Sequence, residues 1–213
     1  MPMEFAKEIT VGTKPHHILE AQQFSPEWLT EELFPVTKRI QSMYPPSRNR
    51  LLPHINGYNL FYEASTRTGT SFAQAIRLLG GHSEGTENAR AFSSAAKGET
   101  LEDTIRILNG YEYDYIVLRY DEEGGAARAA EVSEIPIINA GDGTGQHPTQ
   151  ALLDVFTIYN HFGRIEDLRV AMVGDLEKGR TVHSLTYLLS KFPGISFDFA
   201  SPPNLRIKPD LRG

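Results

Sequence analysis

The chain has 213 residues, of which 40% are apolar and none is cysteine, and its formal net charge is −6. This composition is typical of a globular protein of one or two domains rather than of a disordered chain. It excludes disulfides and cysteine-ligated zinc, and the lack of a Lys/Arg-rich block argues against a nucleic-acid partner. Because no apolar run has membrane-spanning length and the N-terminus lacks a signal-peptide pattern, we expect a cytoplasmic protein without a membrane partner.

The first third of the chain predicts a helix, a loop, a strand and a second helix. Ser25 is suited to cap the first helix, and Pro26 fits its first position. Residues 44–50 contain two prolines among polar residues and predict a loop. The apolar stretch at 58–65 predicts a strand, and the helix after it ends at the glycine pair 80–81.

Residues 82–99 are small, polar and aperiodic, which predicts a long loop with a function of its own. Beyond them strands alternate with helices, which favours an α/β fold with a parallel sheet covered by helices on both faces. The last two strands and one helix are too few to bury both faces of a second sheet, so the second α/β domain is expected to be incomplete. The predicted elements are helices at 101–108, 125–132, 148–163 and 181–194 and strands at 114–120, 135–141, 168–175 and 195–201.

The segment 65-STRT-68 lies between the strand at 58–65 and the helix that follows it. Backbone N–H groups at a helix N-terminus attract an anion, hydroxyl groups add donors, and a guanidinium binds two oxygens in one plane. These residues therefore suit a phosphate pocket. Ser and Thr are also common helix caps, and on this segment alone the two interpretations are evenly balanced.

Polar residues at three other predicted strand ends favour the phosphate pocket. In an open parallel sheet, ligands bind beyond the carboxyl ends of the strands. Arg119 lies at the end of one strand, His147 and Gln150 follow the next, and Arg180 follows a third. Each has an ordinary alternative, such as a surface ion pair or a helix cap, but together they indicate an anion site. The glycines at 141–145 lack the spacing of a dinucleotide-binding fingerprint.

Four segments resemble the catalytic chains of the aspartate carbamoyltransferase family, in the family's order and spacing from about residue 24 onward. In the sister ornithine carbamoyltransferases a cysteine usually stands in place of Thr149, and the sequence at 179–183 differs, so the aspartate branch is preferred. The four segments are 63-EASTRTGTSF-72, 97-KGETLEDT-104, 139-NAGDGTGQHPTQALLD-154 and 174-GDLEKGRTVHSL-185.

The resemblance implies a carbamoyl transfer in pyrimidine synthesis. The family joins the carbamoyl group of carbamoyl phosphate to the amine of L-aspartate and releases phosphate and N-carbamoyl-L-aspartate, with neither metal nor cofactor. It implies a carbamoyl-phosphate-binding domain over 1–147, an interdomain helix over 148–163 and part of an aspartate-binding domain over 164–213. It also implies a homotrimer with active sites shared between subunits, and further assembly with regulatory or pathway subunits.

The residues that match the family's motifs take their expected roles from the same resemblance. Arg119 and His147, with Thr68, would polarise the carbamoyl oxygen and stabilise the tetrahedral intermediate, and Gln150 would bind the carbamoyl NH2 group. The expected catalytic residues are Arg67, Thr68, Arg119 and His147, and the expected carbamoyl-phosphate contacts are Ser65, Thr66, Arg67, Thr68, Arg119, His147 and Gln150.

The second substrate and the long polar loop are assigned in the same way. Arg180 would bind a carboxylate of aspartate. Ser93 and Lys97 would reach from the loop into a neighbouring subunit's site, where Lys97 would also contact aspartate. Gly69 and Ala96 stand where the family often has arginine and lysine, which reduces the positive charge near the motif and on the loop.

By the same resemblance the chain is truncated, because it ends before the family's remaining aspartate-binding residues. We therefore expect it to bind phosphate or carbamoyl phosphate weakly and to be poorly active by itself. Two other classes of function stay open. One is a truncated paralogue that acts as an assembly or regulatory subunit, and the other is a generic nucleotide-binding α/β protein.

Overall fold

Two parallel sheets form the framework of the protein, whose computed structural model describes residues 16–92 and 98–211. The strands are β1 (Asn56–Phe61), β2 (His82–Thr86), β3 (Tyr115–Tyr120), β4 (Ile137–Asp142), β5 (Arg169–Val173) and β6 (Ser196–Ala200). The first four make the main sheet, in the order β2-β1-β3-β4, and β5 pairs with β6. All of these pairings are parallel, which confirms the predicted fold class.

Helices connect successive strands. At the start of the helical segment that precedes β1, Oγ of Ser25 accepts a hydrogen bond from the backbone N–H of Trp28 at 3.1 Å, which confirms the predicted cap. No helix in the described part of the chain is both long and apolar enough to cross a membrane. The helices are α1 (Phe34–Ser42), which continues a π-helical segment (Trp28–Leu33), α2 (Pro45–Arg48), α3 (Thr66–Leu78), α4 (Ala89–Phe92), α5 (Leu101–Asn109), α6 (Gly125–Val132), α7 (Pro148–Phe162) and α8 (Arg180–Leu189).

Strands β1, β3 and β4 of the main sheet are covered on both faces, as predicted, whereas the edge strand β2 is mostly exposed. On one face Leu60 and Ile116 pack in a cluster with apolar residues of α5 and α6. On the other face Phe61 and Val117 pack in a cluster with Phe72 of α3. Burial of one such large apolar side chain contributes roughly 1.5–3 kcal/mol. Because the strands are parallel, this packing holds all their carboxyl ends at one edge of the sheet.

A second core joins the two sheets through α7. Val155 of α7 lies in one cluster with Phe34 of α1 and Leu188 of α8. The ring of Phe34 also stacks on that of Tyr159, with 4.7 Å between centroids. Residues of α8 cover one face of β5 and β6, whereas the other face is open and leaves Val173 77% exposed. The helix pair α7 and α8 therefore sets the position of the second sheet relative to the first.

The segment 82–99, predicted as one long loop, contains the strand β2 and the short helix α4. β2 pairs with β1 at the edge of the main sheet. Its residues are polar or glycine and mostly exposed, so no apolar alternation marks it in the sequence. Gly85 is required there, because a Cβ at this position would lie 2.2 Å from the carbonyl oxygen of Asn59.

Some element ends also differ from the prediction. The predicted strand at 58–65 begins at Asn56 and ends at Phe61. The backbone N–H of Tyr62 still bonds to the carbonyl oxygen of Arg119 at 2.8 Å, and the chain then leaves the sheet. Residues 63–65 consequently lie beyond the strand ends, where a ligand can reach them. The predicted loop at 44–50 holds the short helix α2, and the predicted helix at 181–194 ends at Leu189.

Candidate active site at the strand ends

A cleft of about 800 Å³ lies beyond the carboxyl ends of β1, β3 and β4, between the first turns of α3, α7 and α8. The side chain of Thr66 is not part of its wall, and Ser93 and Lys97 lie outside the described residues. The predicted site residues that the wall does bring together are Ser65, Arg67, Thr68, Arg119, His147, Gln150 and Arg180.

The start of α3 presents unused donors to this cleft. Ser65 is the N-cap residue, but its hydroxyl donates to Oγ1 of Thr68 at 3.0 Å instead of accepting a backbone N–H. The first helical hydrogen bond runs from the N–H of Gly69 to the carbonyl oxygen of Ser65, at 2.9 Å. The N–H groups of residues 66–68 precede it and have no partner within the helix. Together with the helix dipole they form an anion site.

Glu63 links Arg119 and Arg180 across the cleft. Its Oε1 lies 3.0 Å from Nη2 of Arg119, and its Oε2 lies 3.1 Å from Nη2 of Arg180. Arg119 also donates to the carbonyl oxygen of Ala140 at 3.3 Å, and Arg180 donates to that of Gly143 at 3.0 Å. The arginine side chains are 10% and 16% exposed and the Glu63 side chain is 43% exposed, so solvent reaches the carboxylate most easily.

The charges in this group of three shift one another's pKa values. Burial opposes ionisation of Glu63, but the hydrogen bonds and charges of Arg180 and Arg119 outweigh it and lower the pKa of the carboxyl group. Burial, and then the charge of Arg180, lower the pKa of Arg119, while Glu63 acts in the opposite direction. Guanidinium groups stay protonated in proteins. The two arginines therefore form an anion site that Glu63 occupies from within the chain.

Replacing Glu63 with glutamine tests this internal competition. The variant keeps the side-chain shape but removes the charge, so phosphate no longer has to displace a carboxylate from Arg119 and Arg180. We expect inorganic phosphate to bind about 3- to 10-fold tighter in isothermal titration calorimetry. Glu131→Gln removes an exposed carboxylate of α6 and serves as the control. Equal phosphate affinities in Glu63→Gln and the unmodified chain would contradict the competition.

His147 is 6% exposed at the start of α7. Burial, and then the charges of Arg119 and Arg180, lower the pKa of its imidazole to about 4, so the ring is neutral at neutral pH. Its Nδ1 lies 3.3 Å from Oγ1 of Thr149. When that hydroxyl donates to Nδ1, the ring proton is on Nε2 and can be donated to a ligand. The backbone N–H of His147 donates to Oγ of Ser184 at 2.8 Å, which ties this residue to α8.

Gln150 contacts Asp154, one turn further along α7. Nε2 of Gln150 donates to Oδ1 of Asp154 at 2.9 Å. Burial raises the pKa of the Asp154 carboxyl group, and the hydrogen bond from Gln150 opposes that rise. Sequence reasoning assigned no role to Asp154 or to Glu63, although both lie within the recognised motif segments. Their positions within those segments could have marked both as candidate site residues.

The cleft as a whole favours anions. The guanidinium groups of Arg67, Arg119 and Arg180 outnumber the carboxylates of Glu63 and Asp154 by one, and His147 is neutral. Across residues 16–92 and 98–211, no three His, Asp or Glu side chains are grouped so that they could hold a metal ion. The arrangement can therefore bind a phosphate beside a second anionic group, using donors that belong to the chain itself.

A family model described as aspartate/ornithine carbamoyltransferase, carbamoyl-P binding domain, matches residues 16–160. The chain belongs to the aspartate/ornithine carbamoyltransferase family. The chloroplastic aspartate carbamoyltransferase of Oryza sativa is 51% identical over 201 residues, which cover 92% of this chain and 55% of the rice protein. This member of the family thus spans about half the length of the plant relatives it matches.

Solved structures of carbamoyltransferases share the fold. The catalytic subunit of M. jannaschii aspartate transcarbamoylase matches with a TM-score of 0.82 at 44% identity, over 92% of this chain and 63% of that one. The Trypanosoma cruzi enzyme in complex with carbamoyl phosphate and aspartate matches with a TM-score of 0.85 at 37% identity, over 93% and 61%. These comparisons confirm the predicted resemblance to the aspartate branch of the carbamoyltransferase family.

The predicted cytoplasmic location is wrong by the same comparisons. The carbamoyltransferases of rice, pea and Arabidopsis that are 50–51% identical to this chain are named as chloroplastic. The prediction used the lack of a long apolar run and of a signal-peptide pattern. Those properties suit any aqueous compartment and do not distinguish the cytoplasm from the interior of an organelle.

Proposed function

We propose that the chain serves the transfer of the carbamoyl group of carbamoyl phosphate to the amine of L-aspartate, which gives N-carbamoyl-L-aspartate and phosphate for pyrimidine synthesis. The observation that carries the proposal is the convergence of the first turn of α3 with Arg119, His147 and Arg180 on one cleft. Both substrates are anions, and an excess of arginine over carboxylate offsets their mutual repulsion. The T. cruzi relative, whose structure is described with these two substrates, supports this choice.

The phosphate group of carbamoyl phosphate fits the start of α3. The hydroxyls of Ser65 and Thr68 and the guanidinium of Arg67 line the cleft there. Thr66 is not among the residues that line the cleft, and we assign its phosphate contact to the backbone N–H at the helix start. These donors bind an oxygen-rich dianion without a metal ion.

Thr68, Arg119 and His147 polarise the carbamoyl oxygen. The amine nitrogen of aspartate attacks the carbonyl carbon, and the C=O electron pair moves onto this oxygen, where the three donors stabilise the developing charge. The C=O bond then re-forms as the bond between the carbonyl carbon and the phosphate oxygen breaks. Phosphate leaves with the electron pair of the broken bond, and the nitrogen releases a proton. A neutral His147 can donate from Nε2 without adding a further positive charge beside Arg119.

Arg180 binds a carboxylate of aspartate in this proposal. Its Nη2 is paired with Glu63, so binding requires an exchange of one carboxylate for another. The amine attacks only as a free base. The transfer rate should therefore rise with pH until deprotonation of the amine is complete.

The assembly and the domain division are part of the same proposal. The chain would form a homotrimer, with Ser93 and Lys97 donated to a neighbouring subunit's site. Its carbamoyl-phosphate-binding domain would cover 1–147 and its partial aspartate-binding domain 164–213, joined by the helix at 148–163. The position of α7 in the core shared with α8 and α1 supports a connecting role for that helix. Light scattering coupled to size-exclusion chromatography measures the oligomeric state.

Thermal stabilisation by N-(phosphonacetyl)-L-aspartate, a ligand named with the T. cruzi relative, tests the proposed function. This molecule carries a phosphonate and an aspartate moiety and should span the anion site at α3 and Arg180. At a concentration of about 100 times Kd, a ligand stabilises the native state by about 2.7 kcal/mol, which should raise Tm by about 5–10 °C. Succinate, which lacks the phosphonate, is the control ligand. Stabilisation by ATP or NAD but not by the phosphonate would instead favour the generic nucleotide-binding class.

A further inference from the structure

We propose that Asp154 is a positioning residue that makes the cleft prefer a carbamoyl group over an acetyl group of similar shape. It does so by holding the side-chain amide of Gln150 in one orientation. This inference deepens the proposed function and rests on it.

The orientation follows from the chemistry of the two side chains. Asp154 lies four residues after Gln150, so both project from the same face of α7, one turn apart. Nε2 of Gln150 donates to Oδ1 of Asp154 at 2.9 Å. A carboxylate has no proton to donate, so the NH2 end of the amide must face it. Oε1 of Gln150 is then the end that remains for a ligand.

The surroundings of Asp154 indicate a hydrogen-bonding role rather than a role in charge neutralisation. The side chain lines the same cleft as Gln150 and His147 and is only partly accessible to solvent. Within the described residues it forms no ion pair, and its hydrogen-bond partner is Gln150. Burial raises the pKa of the carboxyl group, as expected for a partly desolvated acid without a cationic neighbour. Its contact with Gln150 is thus the contact through which it can act.

The fixed orientation discriminates between two ligands of equal size. The NH2 group of carbamoyl phosphate is a hydrogen-bond donor and pairs with Oε1 of Gln150. The methyl group of acetyl phosphate has no proton to donate and leaves that acceptor unpaired, which costs binding free energy. A reversed amide would present its own NH2 group to the carbamoyl NH2 group, donor against donor. The contact with Asp154 prevents that reversal.

The measurement is the ratio of the Kd of acetyl phosphate to the Kd of carbamoyl phosphate, in mildly alkaline buffer that keeps Asp154 ionised. Asp154→Ala frees both the rotamer and the amide orientation of Gln150, and we expect the ratio to fall about 5- to 10-fold. Asp154→Asn can pair with either end of the amide, and with both orientations equally populated we expect a fall of about twofold. Removal of the Asp154 charge affects both acyl phosphates alike and therefore cancels in this ratio.

Thr157→Ala is the matched control. It removes another polar side chain from α7, whose hydroxyl donates to the carbonyl oxygen of Leu153, and it should keep the unmodified ratio. Binding of inorganic phosphate and a cooperative thermal transition show that a variant is folded. The ratio compares two ligands on one protein, so a loss of folded fraction cancels. A purely structural role for Asp154 would lower stability and leave the ratio as it was.

Gln150→Ala and the double variant Gln150→Ala/Asp154→Ala separate this inference from the proposed function. We expect Gln150→Ala to lower the ratio and the added loss of Asp154 to change it no further. The inference is overturned when Asp154→Ala keeps the unmodified ratio, or when it lowers the ratio equally in the absence of Gln150. A Gln150→Ala variant with the unmodified ratio overturns this inference alone, because the proposed function does not depend on Gln150. An unmodified chain that does not bind carbamoyl phosphate overturns the proposed function and this inference with it.

Discussion

Replacing Arg119 with methionine is expected to weaken the binding of carbamoyl phosphate about 100-fold. The guanidinium of Arg119 is largely buried at the end of β3 and points towards the same cleft as His147 and Arg180. Charge-assisted hydrogen bonds contribute roughly 1.5–3 kcal/mol each, and a loss of about 2.7 kcal/mol corresponds to 100-fold. Methionine fills the space of the arginine stem, so the loss reports on the guanidinium itself. Isothermal titration calorimetry measures it.

Two further variants sharpen this prediction. Arg119→Lys keeps a positive charge but not the planar fork, and an intermediate loss of about 10-fold is expected. Arg169→Met removes an exposed arginine that pairs with Asp198 on the second sheet, and it should leave the affinity unchanged. Carbamoyl phosphate affinity at the level of the unmodified chain in Arg119→Met would show that the guanidinium does not contact this ligand.

Replacing His147 with glutamine is expected to abolish about 3 kcal/mol of pH-dependent stability between pH 7 and pH 4. The pKa of His147 is about 4 in the folded chain and 6.5 for an unperturbed imidazole. Between these values the unfolded chain binds the proton and the folded chain does not. The stabilising contribution of His147 is therefore complete above the unfolded pKa and is lost as the pH falls through the folded pKa. A glutamine side chain binds no proton in this pH range, so the variant lacks this pH-dependent contribution.

Urea unfolding at a series of pH values measures the difference in unfolding free energy between the unmodified chain and His147→Gln. That difference should decline on acidification, whichever carboxyl groups titrate in both proteins. His54→Gln, which replaces an exposed histidine, is the control variant. Parallel curves for the unmodified chain and His147→Gln would contradict the neutral, buried imidazole.

The meeting of Arg119 and His147 could be predicted without coordinates. Alternating strands and helices indicate a parallel sheet, and a parallel sheet has all its carboxyl ends at one edge. Arg119 lies at the end of one predicted strand and His147 follows the next, so the fold class by itself brings these two together. Arg180 follows a strand of the second sheet, and its approach to them depends on the packing of α7 against α8, which no strand pattern predicts. The apolar runs at 114–120 and 135–141 were long enough to place two of the buried strands within a few residues.

The contacts between side chains could not be predicted in this way. Glu63 pairs with Arg119 and Arg180, which are 56 and 117 residues away in the chain. No local sequence pattern indicates a contact between residues so far apart. Ser65 was recognised as a residue suited to a helix cap, yet its hydroxyl bonds to Thr68 instead of a backbone N–H. The strand β2 was missed for a related reason. It is held by backbone pairing with β1 and not by burial of apolar side chains.

The helix α8 contacts the binding groups of both proposed substrates. Arg180 is its first residue, and Ser184, one turn later, accepts the backbone N–H of His147 at 2.8 Å. A helix of ten residues moves as a stiff rod. The backbone positions of Arg180 and His147 are therefore coupled through one turn of α8. In the proposed reaction, the residue assigned to aspartate and the residue assigned to the carbamoyl oxygen are thus held in register by a single helix turn.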